Sequence, residues 1–353
     1  MAAVVAVTSA QRQPRTRWIH GFATDSVLAF CWVPFGVAAV LWTGNVSVTR
    51  SLMSGALILS FTHQPLTLPL VYGDREQFEL RRRIFMWSPI VFTVAVYVTL
   101  NVSLTLLAIV GGLWNAIHTL FQRYGITRIY GRKAGQWDGR LERALLLSWL
   151  AGALVWAAAD TRTPDRIVEA GLAGHNRDAL EILADLRPVA LVLTVPATVV
   201  ALTLAAVWLR REIEAGPDAN PAKHLYVGST AALFVLLVIH PIAGLIAYVG
   251  SHAVEYFIIV YTNLRTRYQL GSDDEALVGR AVRSRIGRPG FLAIYAALIG
   301  AIVVILRALD SPMAYAMVLF VLGGLHVFYD GFIWKLRRPR VADSFDIASA
   351  PAG

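Results

Sequence analysis

Six of the eight histidines, His20, His63, His118, His240, His252 and His326, fall inside or at the ends of hydrophobic segments long enough to cross a bilayer. An ionisable side chain near the centre of such a helix costs a few kcal/mol, so it is rarely kept without a use. The six come one per segment, and imidazoles converging from several helices are the raw material of a metal site. Neighbours at helical spacing add oxygen donors. His252 and Glu255 are three apart and His326 and Asp330 are four apart, so each pair shares a helix face. Tyr256 follows Glu255, and Asp25 lies five beyond His20. A carboxylate beside an imidazole either ligates as well or holds the ring's tautomer from behind. On that reading Asp330 accepts the second N–H of His326, Asp25 supports His20, and Glu255 is a further ligand candidate.

His20, His63, His252 and His326 are the first choice of ligands, with His118 next. His240 is the outlier. It precedes Pro241, and its 12-residue separation from His252 is about 18 Å along one helix. Nitrogen and oxygen donors with no intramembrane thiolate beyond Cys31 favour iron, ahead of zinc, copper or manganese. Two other uses of the histidines stay open at this point: an ion or proton pathway in a transporter or ion-coupled channel, and simple hydrogen bonds between helices. Other chemistries leave no mark. The chain has no phosphate-binding glycine loop, no Gly-x-Ser-x-Gly elbow and no His-Glu-x-x-His helix. The His-x-x-x-His clusters of membrane desaturases are missing too. His175 and His224 read as solvated loop residues, Cys31 as a small packing residue, and the two Asn-Val-Ser sequences as chance matches to a glycosylation site.

The elements that must carry these side chains are membrane helices. Hydrophobic residues make up 56% of the 353, charged residues only 16%, and the mean hydropathy is +0.57. A soluble domain is about a quarter charged. Ten apolar spans are expected, at 22–42, 52–72, 84–101, 103–122, 144–159, 188–209, 225–243, 244–264, 290–308 and 312–335. The runs 84–122 and 225–264 are too long for one crossing. Each should fold as two helices, turning near Asn101-Val102-Ser103 and near Pro241–Gly250. Residues 174–187 read as a short amphipathic helix on the outer surface.

Arginine is concentrated in alternate connections, as in Arg75–Arg83, Arg123–Arg143 and Arg265–Arg288, while Asp160–Arg187 holds six carboxylates against four arginines. By the positive-inside rule both termini are cytoplasmic. The expected plan is an all-α polytopic integral membrane bundle, with a tail at 1–21, one transmembrane domain at 22–335 and a second tail at 336–353. The net charge of +9 then faces anionic lipid headgroups and calls for no nucleic acid. Arg123–Lys133 reads as an interfacial anchor, with an anionic headgroup as the other occupant. The orientation gathers five of the histidines, all but His240, toward one depth.

The one-histidine-per-helix arrangement resembles the Brp/Blh family of bacterial and archaeal membrane β-carotene 15,15′-dioxygenases. Four short elements carry the likeness in the same order: Ile19-His20-Gly21-Phe22-Ala23-Thr24-Asp25, then Phe61-Thr62-His63-Gln64, then Gly250-Ser251-His252 through Phe257, and last Leu325-His326 through Asp330 with a basic sequel. His252 stands alone where the family has paired histidines, and His118 has no counterpart. The resemblance implies a cell inner-membrane, multi-pass oxygenase whose iron acts with O2 on a lipophilic substrate such as a carotenoid, isoprenoid or lipid. A dioxygenase cycle needs no electron donor, whereas a hydroxylase or desaturase cycle does.

Overall fold

A computed structural model describes residues 17–172, 177–268 and 276–347. His175 lies outside them, as do parts of both expected tails. Sixteen α-helices and no strand are found among the described residues. The first group is α1 (Phe22–Phe30), α2 (Trp32–Leu41), α3 (Val46–His63), α4 (Thr67–Tyr72), α5 (Arg75–Glu79) and α6 (Arg82–Val102). The middle group is α7 (Leu104–Lys133), α8 (Arg140–Ala159), α9 (Thr163–Glu169), α10 (Arg177–Ala215) and α11 (Pro221–Ile239). Last come α12 (Pro241–Arg267), α13 (Leu277–Arg283), α14 (Gly287–Leu309), α15 (Pro312–Ile333) and α16 (Pro339–Ser344).

Nine helices among the described residues are long and apolar enough to cross a membrane, counting α1 with α2 as one. The tenth expected span, 52–72, is a broken element. Its α3 ends at His63, a 3-10 turn follows over Gln64–Leu66, and α4 continues from Thr67. Pro65 supplies no backbone N–H, so the hydrogen-bond ladder cannot pass through unbroken. This break matters, because it sets His63 and Thr67 side by side at the level of the site.

Both long runs divide, the first at Ser103 as expected and the second at His240, just ahead of the expected Pro241–Gly250 turn, through which α12 runs unbroken. Ser103 is extended and its hydroxyl accepts from the Leu106 N–H at 3.1 Å, which starts α7. At the second break His240 has φ −136° and ψ 75°, and Pro241 opens α12. Two boundaries differ from the expectation. The α7 helix runs on through the arginine-rich stretch to Lys133, and α10 is continuous from Arg177, so the surface helix and the span after it are one element. Pro188 and Pro196 lie inside α10, as prolines do in membrane helices whose neighbours shelter the freed carbonyls.

The centre of the bundle is α12. About 72% of its apolar stretch is buried, against 11–44% for the other spans. It packs against α2, α3 and α11, while α15 lies along α6 and the α3–α4 break, and α8 pairs with α10. Residues 336–347 of the expected tail pack on the bundle, since Val341, Ala342, Phe345 and Ile347 are buried with Tyr130, Tyr226 and Leu28. On the arginine-rich side Asp74 caps α5 and pairs with Arg267 and Tyr268, tying the end of the α3–α4 element to the end of α12. Burial alone would raise the Asp74 pKa, but Arg267 and the Tyr268 hydroxyl outweigh it and hold the carboxyl below its usual range.

Candidate metal centre

Four of the six histidines meet. His63 from α3, His118 from α7, His252 from α12 and His326 from α15 are each at most 8% exposed. The Nε2 atom of His326 is 3.1 Å from Nε2 of His63 and 3.1 Å from Nε2 of His118. The rings of His63 and His118 each lie 4.6–5.1 Å from those of both His252 and His326, and the latter two face each other at 6.4 Å. His63, His252 and His326 present nitrogens within 4.8 Å of one another, and so do His118, His326 and Asp330 with its carboxylate oxygen. His326 belongs to both sets, so they describe one site.

Hydrogen bonding does not satisfy this cluster. A neutral imidazole nitrogen offers one proton or one lone pair. Nε2 of His326 cannot make good bonds to two other ring nitrogens at once. Neither ring nitrogen of His252 has a hydrogen-bond partner among the described residues, although the side chain is fully buried. A buried polar group without a partner costs about 1–3 kcal/mol. Nitrogens bound at about 2.0–2.1 Å to a common ion stand roughly 2.8–3.0 Å apart in octahedral and roughly 3.3–3.4 Å apart in tetrahedral geometry, which brackets the 3.1 Å separations of His326 from His63 and His118. The donor set therefore fits a metal ion better than it fits itself.

A polar chain leads away from His326. Its Nδ1 is 2.7 Å from the Thr67 hydroxyl, which is 3.0 Å from the Tyr256 hydroxyl and 3.4 Å from Asp330 Oδ1. Asp330 Oδ1 accepts from the Tyr256 hydroxyl at 3.0 Å and from the Trp334 indole N–H at 3.2 Å. If His326 carries its proton on Nδ1 and donates to Thr67, each hydroxyl can donate onward toward Asp330, and Nε2 keeps a lone pair for a cation. Asp330 was expected to accept the second N–H of His326 directly. Thr67 takes that place, and Asp330 Oδ2 instead lies 3.7 Å from Nε2 of both His118 and His326. The sequence held one signal for Thr67, its position four residues after His63.

Glu255 lies beside the cluster but is turned to α7. Its carboxylate forms a fully buried ion pair with Arg123 at 2.7 Å and accepts from Gln122 at 3.1 Å. The Gln122 amide also donates to the backbone carbonyl of His252. Arg123 donates to Ser251 and Thr230 as well. It is not an interfacial anchor: it sits at the α7–α12 contact and holds α12 in register with His118. The α7 ridge was misread because a buried arginine and a snorkelling one look alike until the partner carboxylate, far away in sequence, is known.

The structure does not bring His20 or His240 to the cluster. His20 bonds Thr262, ten residues beyond His252 on α12, about 15 Å along the axis. Asp25 accepts the backbone N–H groups of Ile19 and His20, which fixes the chain entering α1 and leaves the His20 ring to Thr262. His240 forms the break before α12. His224 is not a loop residue. It stands in the first turn of α11 and bonds Glu212 at 2.8 Å, whose carboxylate also takes the buried Lys223. Cys31 is buried as expected.

A cavity of about 730 Å³ lies between α7 and α15 and is lined in part by His118, Gln122, Tyr256 and Asp330. Trp114, Ile117 and Phe121 line it from α7 and Val327 from α15. Comparison with protein-family models, curated proteins and solved structures finds no match to this chain. The fold and site thus define a helical membrane protein with a buried histidine cluster beside a cavity.

Proposed function

We propose that this protein is a membrane-embedded oxygenase whose non-haem iron is held by His63, His118, His252 and His326. One observation carries the reading: four buried imidazoles converge beside a largely apolar cavity, with neither nitrogen of His252 nor Nδ1 of His63 given a hydrogen-bond partner among the described residues. Iron in such a set, with positions left open, supplies binding and activation of O2. The chain does the rest. Thr67 orients His326 through Nδ1, and Tyr256 with Trp334 holds Asp330 so that its second oxygen faces both the imidazoles and the cavity. Asp330 Oδ2 is the atom positioned to take or return a proton at the substrate. The α7 and α15 walls exclude water and admit a lipophilic molecule from the bilayer. Three of the four elements that resemble the Brp/Blh dioxygenases contribute a clustered histidine, and the first, around His20, does not.

The test is elemental analysis with a Mössbauer spectrum of the detergent-purified protein, followed by O2 uptake with carotenoid, isoprenoid and acyl-lipid substrates. About one iron per chain and substrate-dependent O2 consumption are expected. Stoichiometric zinc without O2 uptake would replace the oxygenase by a closed structural site. Metal-free protein that moves ions across liposomes would favour a transport pathway.

The orientation in the cell inner membrane belongs to the same proposal. Loop charge puts the arginine-rich ends of α7, α12 and α15 in the cytoplasm. A reporter fused after Arg283 should read cytoplasmic and one placed after Arg162 external. The same side for both would remove the common depth assigned to the four helices.

A further inference from the structure

The cavity is sharply divided in charge. Asp330, its one acidic lining residue, stands beside His118 and His326, whereas five basic ones line it from the last turns of α7 (Arg128, Arg132), from α8 (Arg143) and from the chain after α15 (Lys335, Arg337). Arg128 is occupied, since it donates to the carbonyls of Gln136 and Trp137 and lies 3.9 Å from Glu142. The other four are not neutralised, because none has a carboxylate within ion-pair distance among the described residues. Arg132 donates through Nη1 to the Leu336 carbonyl and stacks on Trp137, and its buried Nε has no partner among the described residues. Lys335 sits in an uncompensated field, its pKa lowered by burial and then by Arg337, Arg338 and Arg81. Guanidinium forks beside an ammonium are the usual recognition of phosphate or carboxylate.

The wall between the two is apolar. Phe121, Tyr124, Ile126 and Ile129 line it from α7 between His118 and Arg132, and Trp114 and Ile117 carry the apolar lining past His118. His118 and Arg132 are 14 residues apart on the same helix, about 21 Å along its axis.

We propose that the cavity takes an amphiphile: an acyl or isoprenoid chain lying along α7 toward His118, with an anionic phosphate or carboxylate head held by Arg132, Arg143, Lys335 and Arg337. This rests on the oxygenase reading for what happens to the chain, but binding of the head requires no metal. A bare hydrocarbon would fill the wall and leave the four cations without a counter-charge. A free anion would meet the cations and leave the wall empty.

The experiment uses full-length protein in phosphatidylcholine nanodiscs, with tryptophan emission as the readout, since Trp114, Trp137 and Trp334 line the cavity. The probes are dodecyl phosphate, dodecanoate and neutral dodecanol, with inorganic phosphate as competitor. Both anionic probes should bind saturably and at least about tenfold more tightly than dodecanol, as charged hydrogen bonds warrant. The double variant Lys335→Gln with Arg337→Gln should lose that advantage. Both side chains are on the exterior, so the fold is spared, and Arg143→Gln gives a second reading. Arg83→Gln, at the exposed start of α6 and outside the cavity, should change nothing. Equal binding of dodecanol, equal loss in Arg83→Gln, or full displacement by inorganic phosphate would each overturn the proposal. His326→Ala protein should still bind dodecyl phosphate. Retained binding in a protein found to hold no iron would leave this inference standing while the oxygenase reading falls.

Discussion

His326→Ala is expected to purify almost free of metal, with affinity down by more than about 100-fold. His326 is the residue shared by both nitrogen sets, and its Nε2 faces two other imidazoles at 3.1 Å. Removing it takes away the one ligand that both donor sets share. His252→Ala should behave in the same way, because no hydrogen bond competes for its nitrogens. Thr67→Val keeps the shape of the side chain and removes the hydroxyl that orients His326. It should weaken metal retention by about 10–100-fold, the range typical of outer partners. Asp330→Asn falls in that range for the same reason. His20→Ala and His240→Ala should retain the metal, the first ring being bonded to Thr262 and the second lying at the helix break. Metal content after gel filtration, together with a chelator titration, decides the series. A His326→Ala protein that binds iron stoichiometrically would mean that the cluster is only a packed core of imidazoles.

Arg123→Leu is expected to cost about 3–5 kcal/mol of stability, because it strands a carboxylate in a fully buried position. The two side chains make up a 0%-exposed pair at 2.7 Å, and without Arg123 the Glu255 carboxylate keeps neutral donors such as Gln122 but no cation. The double replacement Arg123→Met with Glu255→Leu should recover most of the loss, since it removes both charges instead of orphaning one. Unfolding in mixed detergent micelles measures the difference. Glu255→Gln separates the two roles of the carboxylate. If it serves Arg123, this variant is destabilised and still binds metal. A Glu255→Gln protein that is as stable as the parent but metal-free would make Glu255 a ligand, and the register of α12 against α7 would need another explanation.

Much of this architecture could be read from patterns that are local in the chain. Hydropathy located the spanning helices, because a backbone in lipid must close its own hydrogen bonds and the apolar runs are the only stretches able to do so there. The breaks at Ser103 and His240 were legible for the same reason: a serine that caps and a proline that cannot donate act within four residues. The spans that carry His63, His118, His252 and His326 followed from the same patterns. The division of α3 from α4 was harder to foresee, since 52–72 is apolar enough as a whole to look like one crossing.

What lay beyond the sequence was which side chains meet. His20 ranked among the first ligands by sequence and His118 behind it, yet packing brings His63, His118, His252 and His326 together, while His20 stands before α1 against Thr262 and His240 at the break before α12. Sequence neighbours misled where a distant partner was the better match. Asp330 seemed placed for His326, yet Thr67, more than two hundred residues earlier, reaches Nδ1 first. Glu255 seemed placed for His252, yet Arg123 on α7 claims it. Spacing along one helix fixes a face to within a turn. The partner on that face depends on how α3, α7, α12 and α15 pack, and packing is set by the fit of whole surfaces, which no single segment contains.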